Sequence, residues 1–554
     1  MSGFLATSGF AIPHIDYTAL LPELIMIGGA IFLLGIGALR VRHLPPRVYS
    51  ALTGATGVAS LVAGIFLWDK VHGAGHPFAA VAKSLAVDGF STAFVILASA
   101  IIIVSSLLSN DYLEREGVIG PEYHALTLLS ASGAMLMAAA NDFIVIFLGL
   151  EILSIPLYIL AALDQRRAES GEAGMKYFVL GAFSSAIFVY GIALTYGATG
   201  STNLAQIAAY LSHNVSTNDG LLLAGAGLLL VGFLFKVAAV PFHMWTPDVY
   251  QGAPTPATGF MAAIAKVGGF AALLRVFFTS FHVLSSSWQP IIWVVAILTL
   301  VVGAVLGLVQ RDIKRMLAYS SINHAGFILL GLEAASTKGI SAALYYVFIY
   351  SFLVLGSFAV VTLVGGKGDR EHSIESFRGL GRRQPLLALA LAILLLAQAG
   401  APFTTGFLGK LYVVEAAVSA HSYALAVIAM LTGAIAAAFY LRVVFVMYGT
   451  RPAPAGAPIE PAGGPQLASA GASPEIGSPL GASYSPLSAA TLVATEQETG
   501  SEVGPTSSNP PAAPIRLSFA TALGLALTVG VTVVFGIWPA PIFSLAHSAS
   551  LLFI

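Results

Sequence analysis

The sequence has 554 residues, a net charge of −1 and no cysteine, and 57% of its residues are hydrophobic whereas only 9% are charged. Soluble domains carry about 25% charged residues, so a soluble globular protein is excluded and lipid is the solvent around the chain. The balanced charge gives no bulk attraction to nucleic acid. The lack of thiols excludes disulfides, thiolate zinc sites and thiolate-bound iron–sulfur clusters in this chain.

The apolar segments indicate an all-α, polytopic membrane protein. A hydrocarbon core of ~30 Å needs about 20 residues of helix, and about fourteen segments of the sequence meet this requirement. They are predicted at residues 18–39, 49–68, 90–108, 124–140, 142–162, 176–197, 220–240, 256–280, 289–309, 315–334, 339–364, 385–418, 423–447 and 517–543.

The positive charges set the orientation of these predicted spans. No Lys or Arg precedes the first apolar run, which is not expected of a cleaved signal peptide, but Arg40 and Arg42 follow it directly. Dense positive clusters, such as Arg311, Lys314 and Arg315, fall in loops assigned to the inside. Because inner loops are enriched in Lys and Arg, and the span count is even, both termini are predicted on the outer side.

Two of the predicted spans are interrupted. The seventh breaks at Pro241, and the twelfth, at 385–418, is too long for a plain span and contains Ala401-Pro402. Proline interrupts the helical hydrogen-bond ladder, and irregular backbone at membrane depth persists only where protein or a water-filled cavity satisfies it. Interrupted helices at corresponding positions of two halves are typical of inverted repeats with a site at the break. We therefore predict two inverted five-helix repeats, with helices 7 and 12 broken.

The chain divides into five predicted parts. An N-terminal three-helix segment at 1–123 precedes the first repeat at 124–280 and the second, inverted repeat at 281–450. Residues 451–514 are rich in Pro, Ala, Gly and Ser and cannot bury a core, so they are predicted to be a disordered cytoplasmic linker. Residues 515–554 carry the C-terminal transmembrane helix.

Several charged residues fall inside predicted spans, where a charge at the helix centre costs ~2.5–3.5 kcal/mol on insertion scales. Lys236, Lys266, Lys410 and Glu151 lie deep in their spans, and this cost marks them as functional candidates. Arg275 lies nearer a helix end, so we expect its long side chain to reach the outer interface.

These positions suit proton transfer. Two unit charges 4 Å apart interact by about 4 kcal/mol at an effective dielectric of about 20. Moving Glu151 toward or away from Lys236 would therefore load or release a proton. His324 lies in the middle of a span and is a candidate proton relay, with His124 and His243 as further candidates.

The stretch FKVAAVPFHMWTPDVYQGAPTP at 235–256 resembles the signature of the antiporter-like membrane subunits of respiratory complex I, the proton-pumping NADH:quinone oxidoreductase. Subunits L and M and the Mrp-type antiporters usually read WLPDA where this chain reads WTPDV, a wording similar to that of subunit N. Three further blocks agree: LEILSIPLY at 150–158, RDIKRMLAYSSINH at 311–324 and APFTTGFLGKLY at 401–412. The resemblance covers about 17–447 and the final helix.

The resemblance implies roles for the buried charges. Glu151 resembles the glutamate that pairs with the helix-seven lysine, here Lys236. Lys266 resembles the central bridging lysine, and Lys410 resembles the terminal lysine, through which the proton leaves or passes to a neighbour.

It also implies a non-redox, multi-pass subunit of a translocase in the bacterial inner membrane. Its partners would be the lipid bilayer and the other membrane subunits of complex I, including a neighbouring antiporter-like subunit. NADH, FMN, iron–sulfur clusters and quinone are expected on partner subunits, with no cofactor and no metal bound by this chain.

Three other interpretations stay open. The same charged core would serve a subunit of an Mrp-type antiporter that exchanges sodium for protons. It would also serve a related complex linked to F420H2, ferredoxin or a hydrogenase, because the electron donor binds other subunits. A membrane scaffold without an ion path predicts that lysine variants never lose pumping alone.

Overall fold

The computed structural model describes residues 15–39, 44–73, 76–118, 120–214, 220–449 and 517–549. The predicted linker at 451–514, the basic residues Arg40 and Arg42, and both termini lie outside the described residues.

Helices make up nearly all of the regular structure in this part of the chain. In chain order they are α1 (Leu21–Ala38), α2 (Pro46–His72), α3 (Gly89–Glu116), α4 (Glu122–Ala139), α5 (Phe143–Ala161), α6 (Ala168–Thr199), α7 (Leu204–His213), α8 (Gly220–Lys236), α9 (Trp245–Gly252), α10 (Thr255–Thr279), α11 (Ser285–Leu308), α12 (Ile313–Glu333), α13 (Thr337–Val364), α14 (Leu380–Arg383), α15 (Pro385–Ala399), α16 (Thr405–Ser419), α17 (Tyr423–Tyr448), α18 (Phe519–Ile537) and α19 (Ala540–Ala549).

Short elements complete the described part. The strands β1 (Phe78–Ala80) and β2 (Leu85–Val87) pair antiparallel just before α3. Single 3₁₀ turns at His282–Leu284 and Ile374–Phe377 precede α11 and α14.

The helices confirm the predicted all-helical membrane architecture. Each predicted span coincides with a helix or with a pair of helices separated by a break. Among the described residues, 10 helices are long and apolar enough to cross a membrane, and α8 and α15 are shorter apolar helices. The exact number of crossings and the division into two inverted repeats stay predictions.

Helix α10 lies at the centre of the bundle. Its apolar stretch, which is long enough to cross a membrane, is entirely buried. The helix packs against α3, α4, α5, α8 and α13. Small residues let its neighbours approach closely, as is usual between membrane helices. A Cβ on Gly268 would lie 2.9 Å from the Leu153 side chain, and a Cβ on Gly259 would lie 2.9 Å from Phe358.

The seventh predicted span breaks earlier than the sequence indicates. Helix α8 ends at Lys236, five positions before the proline at which we expected the break. Ala238 adopts a left-handed conformation with φ 62°, and the Ala239 amide donates to the Leu234 carbonyl at 2.9 Å. This hydrogen bond satisfies a carbonyl at the helix end in the manner of a Schellman cap. The cap, not the proline, ends the helix and leaves Lys236 as its last residue.

The twelfth predicted span breaks at the expected place and with a similar cap. Helix α15 ends at Ala399, and Gly400 follows with φ 93°. The Ala401 amide donates to the Leu396 carbonyl at 2.9 Å, as its counterpart does at the other break. The predicted interruption at Ala401-Pro402 is therefore confirmed, and the chain resumes as α16.

The last predicted helix was too long. Helix α18 ends at Ile537, and α19 begins at Ala540, whereas we predicted a single helix at 517–543. Pro539 lies between the two helices. Because proline lacks the amide hydrogen and disfavours helical backbone at the preceding residue, the first helix stops there.

Two basic residues are placed differently from our expectation. Arg275 does not reach the outer interface. It is 1% exposed, and its guanidinium donates to both carboxylate oxygens of Asp88 at 2.8 and 2.9 Å. Lys314, which we assigned to an inner loop, is fully buried 3.6 Å from the carboxylate of Asp369. In both cases a carboxylate distant in sequence compensates the charge, so the side chain has no need to reach water.

The close approach of α16 to α15 predicts a strong effect of one glycine substitution. A Cβ on Gly406 would lie 1.8 Å from the backbone oxygen of Ala397, and backbone cannot move aside cheaply. We expect Gly406→Ala to destabilise the chain by ~1–3 kcal/mol and to lower its amount in membranes. Gly227→Ala is the matched control, because a Cβ there meets nothing within 4 Å. The fraction of folded protein that remains after heating in detergent is the measurement. Equal fractions for the two variants would refute the predicted clash.

Candidate functional site

The predicted site residues lie along the interior of the bundle, beginning with Glu151 on α5 and Lys236 on α8. Lys236 is buried, with 3% of its surface exposed, whereas Glu151 is half-buried. The two side chains form no ion pair. The Lys236 ammonium instead donates to the Ser154 hydroxyl at 2.7 Å, and the Ser185 hydroxyl donates to the Glu151 carboxylate at 2.5 Å.

Helix geometry explains this arrangement. Ser154 lies three residues after Glu151, so both side chains lie on one face of α5. Its hydroxyl also donates to the Leu150 carbonyl. The Lys236 ammonium therefore binds a hydroxyl that lies one helical turn from the Glu151 carboxylate. A displacement of these side chains toward each other would bring the two charges together.

Lys266, on α10, contacts the break that follows α8. Its ammonium donates to the Val237 carbonyl at 3.0 Å, on the residue directly after Lys236. It also lies 5.7 Å from the centre of the Tyr350 ring. The break thus supplies a free carbonyl at membrane depth, and it places the second lysine next to the backbone of the first.

A Cβ on Gly269 would lie 2.8 Å from Val237 and 3.4 Å from the Lys236 side chain. The glycine therefore permits the close approach of α10 to the break.

A hydroxyl and imidazole network continues from there. The Tyr350 hydroxyl donates to Ser321 at 2.8 Å, and the ring of Tyr350 lies 5.1 Å from that of His324. His324 is 1% exposed, and its two nitrogens contact the hydroxyls of Tyr346 at 2.8 Å and Tyr440 at 3.1 Å. Both imidazole nitrogens therefore have an oxygen partner, as a proton relay requires.

Lys410, on α16, lies at the second break. Its ammonium donates to the Ala399 carbonyl at 2.9 Å, where α15 ends. It also lies 5.0 Å from the centre of the Phe327 ring, which stacks on Tyr346 beside the histidine. Lys266 and Lys410 thus bind the free carbonyl of a broken helix in the same way.

The side chains of this row all carry protons that can be exchanged with oxygen or nitrogen partners. In the described part of the chain, the ammonium groups of Lys236, Lys266 and Lys410 make no ion pair with a carboxylate. A buried charge without a partner is costly, and this cost makes the three lysines candidates for a functional role. Lysine, imidazole and tyrosine hydroxyl groups follow one another from the first break to the second.

The two other candidate histidines lie elsewhere. His124, on α4, contacts the Ser50 hydroxyl of α2 at 3.4 Å and packs against the rings of Tyr49 and Tyr123. His243 is half-buried in the segment between α8 and α9. Neither contacts a lysine of the row.

Sequence reasoning missed the hydroxyl partners. Ser154 carried a usable signal, because it lies one turn from Glu151 on the same helix face. Ser185, Tyr350 and Tyr440 carried none, because only the packing of distant helices brings them to the row. Within the described ranges, no cluster of three or more metal-binding side chains could hold a metal ion.

Comparison with known proteins identifies the family to which the sequence is similar. The family described as NADH:quinone oxidoreductase/Mrp antiporter, transmembrane, matches residues 140–436. The NADH-quinone oxidoreductase subunit N of Trichlorobacter lovleyi is 42% identical over 434 residues, which cover 78% of this chain and 88% of that protein.

Solved structures agree. A chain of respiratory complex I from Thermus thermophilus with bound aureothin matches with a TM-score of 0.71 and 30% identity, covering 95% of this chain and 99% of that one. A chain of the Mrp complex from Dietzia sp. DQ12-45-1b has a TM-score of 0.76, with 97% of each chain covered, but only 19% identity, a likeness of fold alone.

Proposed function

Because the chain belongs to the NADH-quinone oxidoreductase subunit N family, we propose that its buried row of lysines, tyrosines and histidine translocates protons when quinone is reduced elsewhere in the complex. The observation that carries this proposal is the contact of Lys266 with the Val237 carbonyl, next to Lys236. It brings the ammonium of one buried lysine to the backbone directly after the other, at the break of a helix.

In the proposed route, Glu151 controls the proton on Lys236 by approaching it or moving away. The hydrogen bonds to Ser185 and Ser154 represent the separated arrangement. At an effective dielectric of about 20, two unit charges 4 Å apart interact by about 4 kcal/mol in total. In the proposed route, part of this interaction is gained when the pair closes and lost when it opens, which loads or unloads the lysine.

From Lys266 the proton would continue to His324 and then to Lys410. The Tyr350 ring lies beside both Lys266 and His324, and Tyr346 lies beside both His324 and Phe327, above which Lys410 sits. Lys410 would release the proton or pass it to a neighbouring subunit.

The chain acts, in this account, as a non-redox subunit of the enzyme. Its partners include the other membrane subunits of the complex, and NADH, FMN, iron–sulfur clusters and quinone bind partner subunits and not this chain. It is a multi-pass protein of the bacterial inner membrane with both termini on the periplasmic side. The two inverted repeats, 124–280 and 281–450, each contribute one broken helix.

Purification of the tagged chain from gently solubilised membranes tests the proposal. We expect NADH-dependent quinone reduction to copurify with the chain and to be blocked by inhibitors of complex I. Absence of this activity, together with sodium/proton exchange after reconstitution, would overturn the proposal in favour of an Mrp-type antiporter. NADH-driven acidification that does not change when sodium is omitted would exclude that alternative.

His324 provides a prediction of intermediate size. We expect His324→Gln to lower NADH-driven proton translocation about tenfold, less than the ~10²–10⁴-fold typical of an essential acid or base, because neighbouring tyrosine hydroxyls remain. Proteoliposomes containing the purified complex provide the measurement. His421→Gln is the matched control, since His421 is exposed and its imidazole lies beside Tyr423, away from the row of lysines. Equal rates in the two variants would remove His324 from the route.

A further inference from the structure

Helix α10, which carries Lys266 near its middle, is held at both ends by buried carboxylates that belong to other parts of the chain. At the inner end, the Asp369 carboxylate accepts hydrogen bonds from the backbone amide of Thr255 at 3.0 Å and from its hydroxyl at 2.7 Å. Thr255 is the first residue of α10, whereas Asp369 lies in the loop after α13.

The inner carboxylate joins more than one helix. Asp369 also contacts Arg167 at 3.1 Å, before α6, and lies 3.6 Å from Lys314 on α12. The Lys314 ammonium donates to the Ala253 carbonyl at 2.6 Å, two residues before α10 begins. Asp369 itself is fully buried and has a left-handed backbone with φ 52°. This left-handed conformation is one that aspartate adopts more readily than most residues other than glycine.

The surroundings of Asp369 favour its charged form. Burial alone would raise the pKa of this carboxyl, but Lys314, His372 and Thr255 outweigh it and hold the pKa below its usual range. A carboxyl with a lowered pKa stabilises the folded state above its unfolded pKa of about 4 and loses that contribution as the pH falls. The contacts at the inner end of α10 thus persist at neutral pH.

At the outer end of α10, the buried carboxylate of Asp88 holds the helix. This carboxylate accepts two hydrogen bonds from Arg275, which lies in the last turns of α10, and the Arg275 Nε donates to the Ala138 carbonyl at 2.8 Å. Asp88 also caps α3 by accepting from the Ser91 amide at 2.7 Å. The two carboxylates therefore tie α10 to the N-terminal three-helix segment and to the predicted second repeat.

We propose that Asp88 and Asp369 are positioning residues, which fix α10 along its axis and so keep the Lys266 ammonium against the Val237 carbonyl at the break. This inference rests on the proposed function. Lys266 lies about 16 Å from the inner tie and about 13 Å from the outer tie, at 1.5 Å per residue. A shift of α10 by about 1 Å would lengthen the 3.0 Å contact beyond hydrogen-bond range.

The test uses Asp88→Asn and Asp369→Asn in the intact complex. Each change removes one charge and preserves the size of the side chain. The readouts are the amount of assembled complex, its NADH-dependent quinone reduction, and protons moved per NADH in proteoliposomes. We expect assembled complex in which protons moved per NADH fall about tenfold, since misplacement by about 1 Å can cost up to 10²-fold.

Glu116→Gln is the matched control. Glu116 is also a buried carboxylate, and it accepts from the Gly368 amide, next to Asp369, but makes no described contact with α10. A purely structural role predicts that Asp369→Asn and Glu116→Gln change assembly alone and leave the protons per NADH of the assembled complex equal. That result would overturn the proposal.

The same substitutions in the Lys266→Ala background distinguish a failure of the positioning role from a failure of the proposed function. If the ties act through Lys266, Asp88→Asn adds no further loss to Lys266→Ala, whereas independent effects would multiply and contradict the proposal. If Lys266→Ala itself pumps normally, the proposed function fails at this residue. If Lys266→Ala is impaired but both aspartate variants pump normally, only the positioning role fails.

A paired variant keeps the test decisive if Asp88→Asn prevents assembly by leaving Arg275 buried and unpaired. Asp88→Asn combined with Arg275→Met removes both charges and the outer tie together. We expect this pair to assemble and to show the same loss of protons per NADH. Normal pumping, or failure to assemble, would show that the ion pair serves folding and not the position of Lys266.

Discussion

We expect Lys236→Met to lower the rate of proton translocation at least about a hundredfold, while the complex still assembles. Methionine preserves most of the buried volume but has no proton to exchange and no charge for Glu151 to attract. Lys236 is 3% exposed and is bonded to Ser154 at the end of α8, so no other described ammonium takes its place there. NADH-driven acidification of proteoliposomes, normalised to assembled complex, is the measurement.

Lys236→Arg sharpens this prediction. Arginine retains a positive charge and can donate to Ser154, but it is not deprotonated in proteins. If Lys236 must release its proton, the arginine variant fails as completely as the methionine variant. Normal pumping by Lys236→Arg would mean that only the charge matters, as a scaffold or a purely electrostatic role requires.

The control for both variants is Lys338→Met. Lys338 is an exposed lysine that forms a salt bridge with Glu415 at 2.7 Å on the surface. An exposed pair contributes about 0–1 kcal/mol to stability. We therefore expect wild-type assembly and wild-type pumping from this variant.

Lys410→Ala has the second-largest expected effect. Lys410 is 8% exposed, and its ammonium bonds the Ala399 carbonyl at the break between α15 and α16. Its loss removes the last protonatable amine of the row and leaves that carbonyl without its charged donor. We expect pumping to fall by at least about a hundredfold, as for an essential proton carrier.

If the complex that carries Lys410→Ala still assembles, misfolding does not explain its loss of pumping. The matched control is Lys367→Ala, which alters an exposed lysine in the loop after α13. Proton translocation and quinone reduction are measured on the same purified preparations. If Lys410→Ala and Lys367→Ala translocate protons equally well, Lys410 is not the terminal carrier and the proposed route ends elsewhere.

The sequence predicted the features that one segment determines by itself. Apolar length predicted the spans, and the cost of a charge in lipid selected Glu151, Lys236, Lys266 and Lys410. The structure places the three lysines in the buried interior at the two breaks, and Glu151 is half-buried one helical turn from the serine that binds Lys236. The break after α8 was predicted too late, because proline is visible in a sequence whereas the left-handed cap at Ala238 is not.

Features that depend on distant packing were not predictable in the same way. Nothing near Arg275 in the sequence indicates Asp88, which lies 187 residues away and holds the arginine in the interior. Lys314 looked like a loop charge for the same reason, since its partner Asp369 follows a complete helix later. The hydroxyls around His324 also come from two other helices, so a single lysine or histidine could be selected but not its partners.

NADH-driven proton translocation by the purified, reconstituted complex that carries Glu151→Gln tests most directly whether the buried charges move protons. Glutamine retains the size of the side chain and can still accept from Ser185, but it has no charge with which to load or release a proton on Lys236. We expect the complex to assemble and proton translocation to be lost. Translocation at the wild-type rate would mean that the charge of Glu151 has no part in moving protons, and the proposed role of the Glu151–Lys236 pair would be wrong.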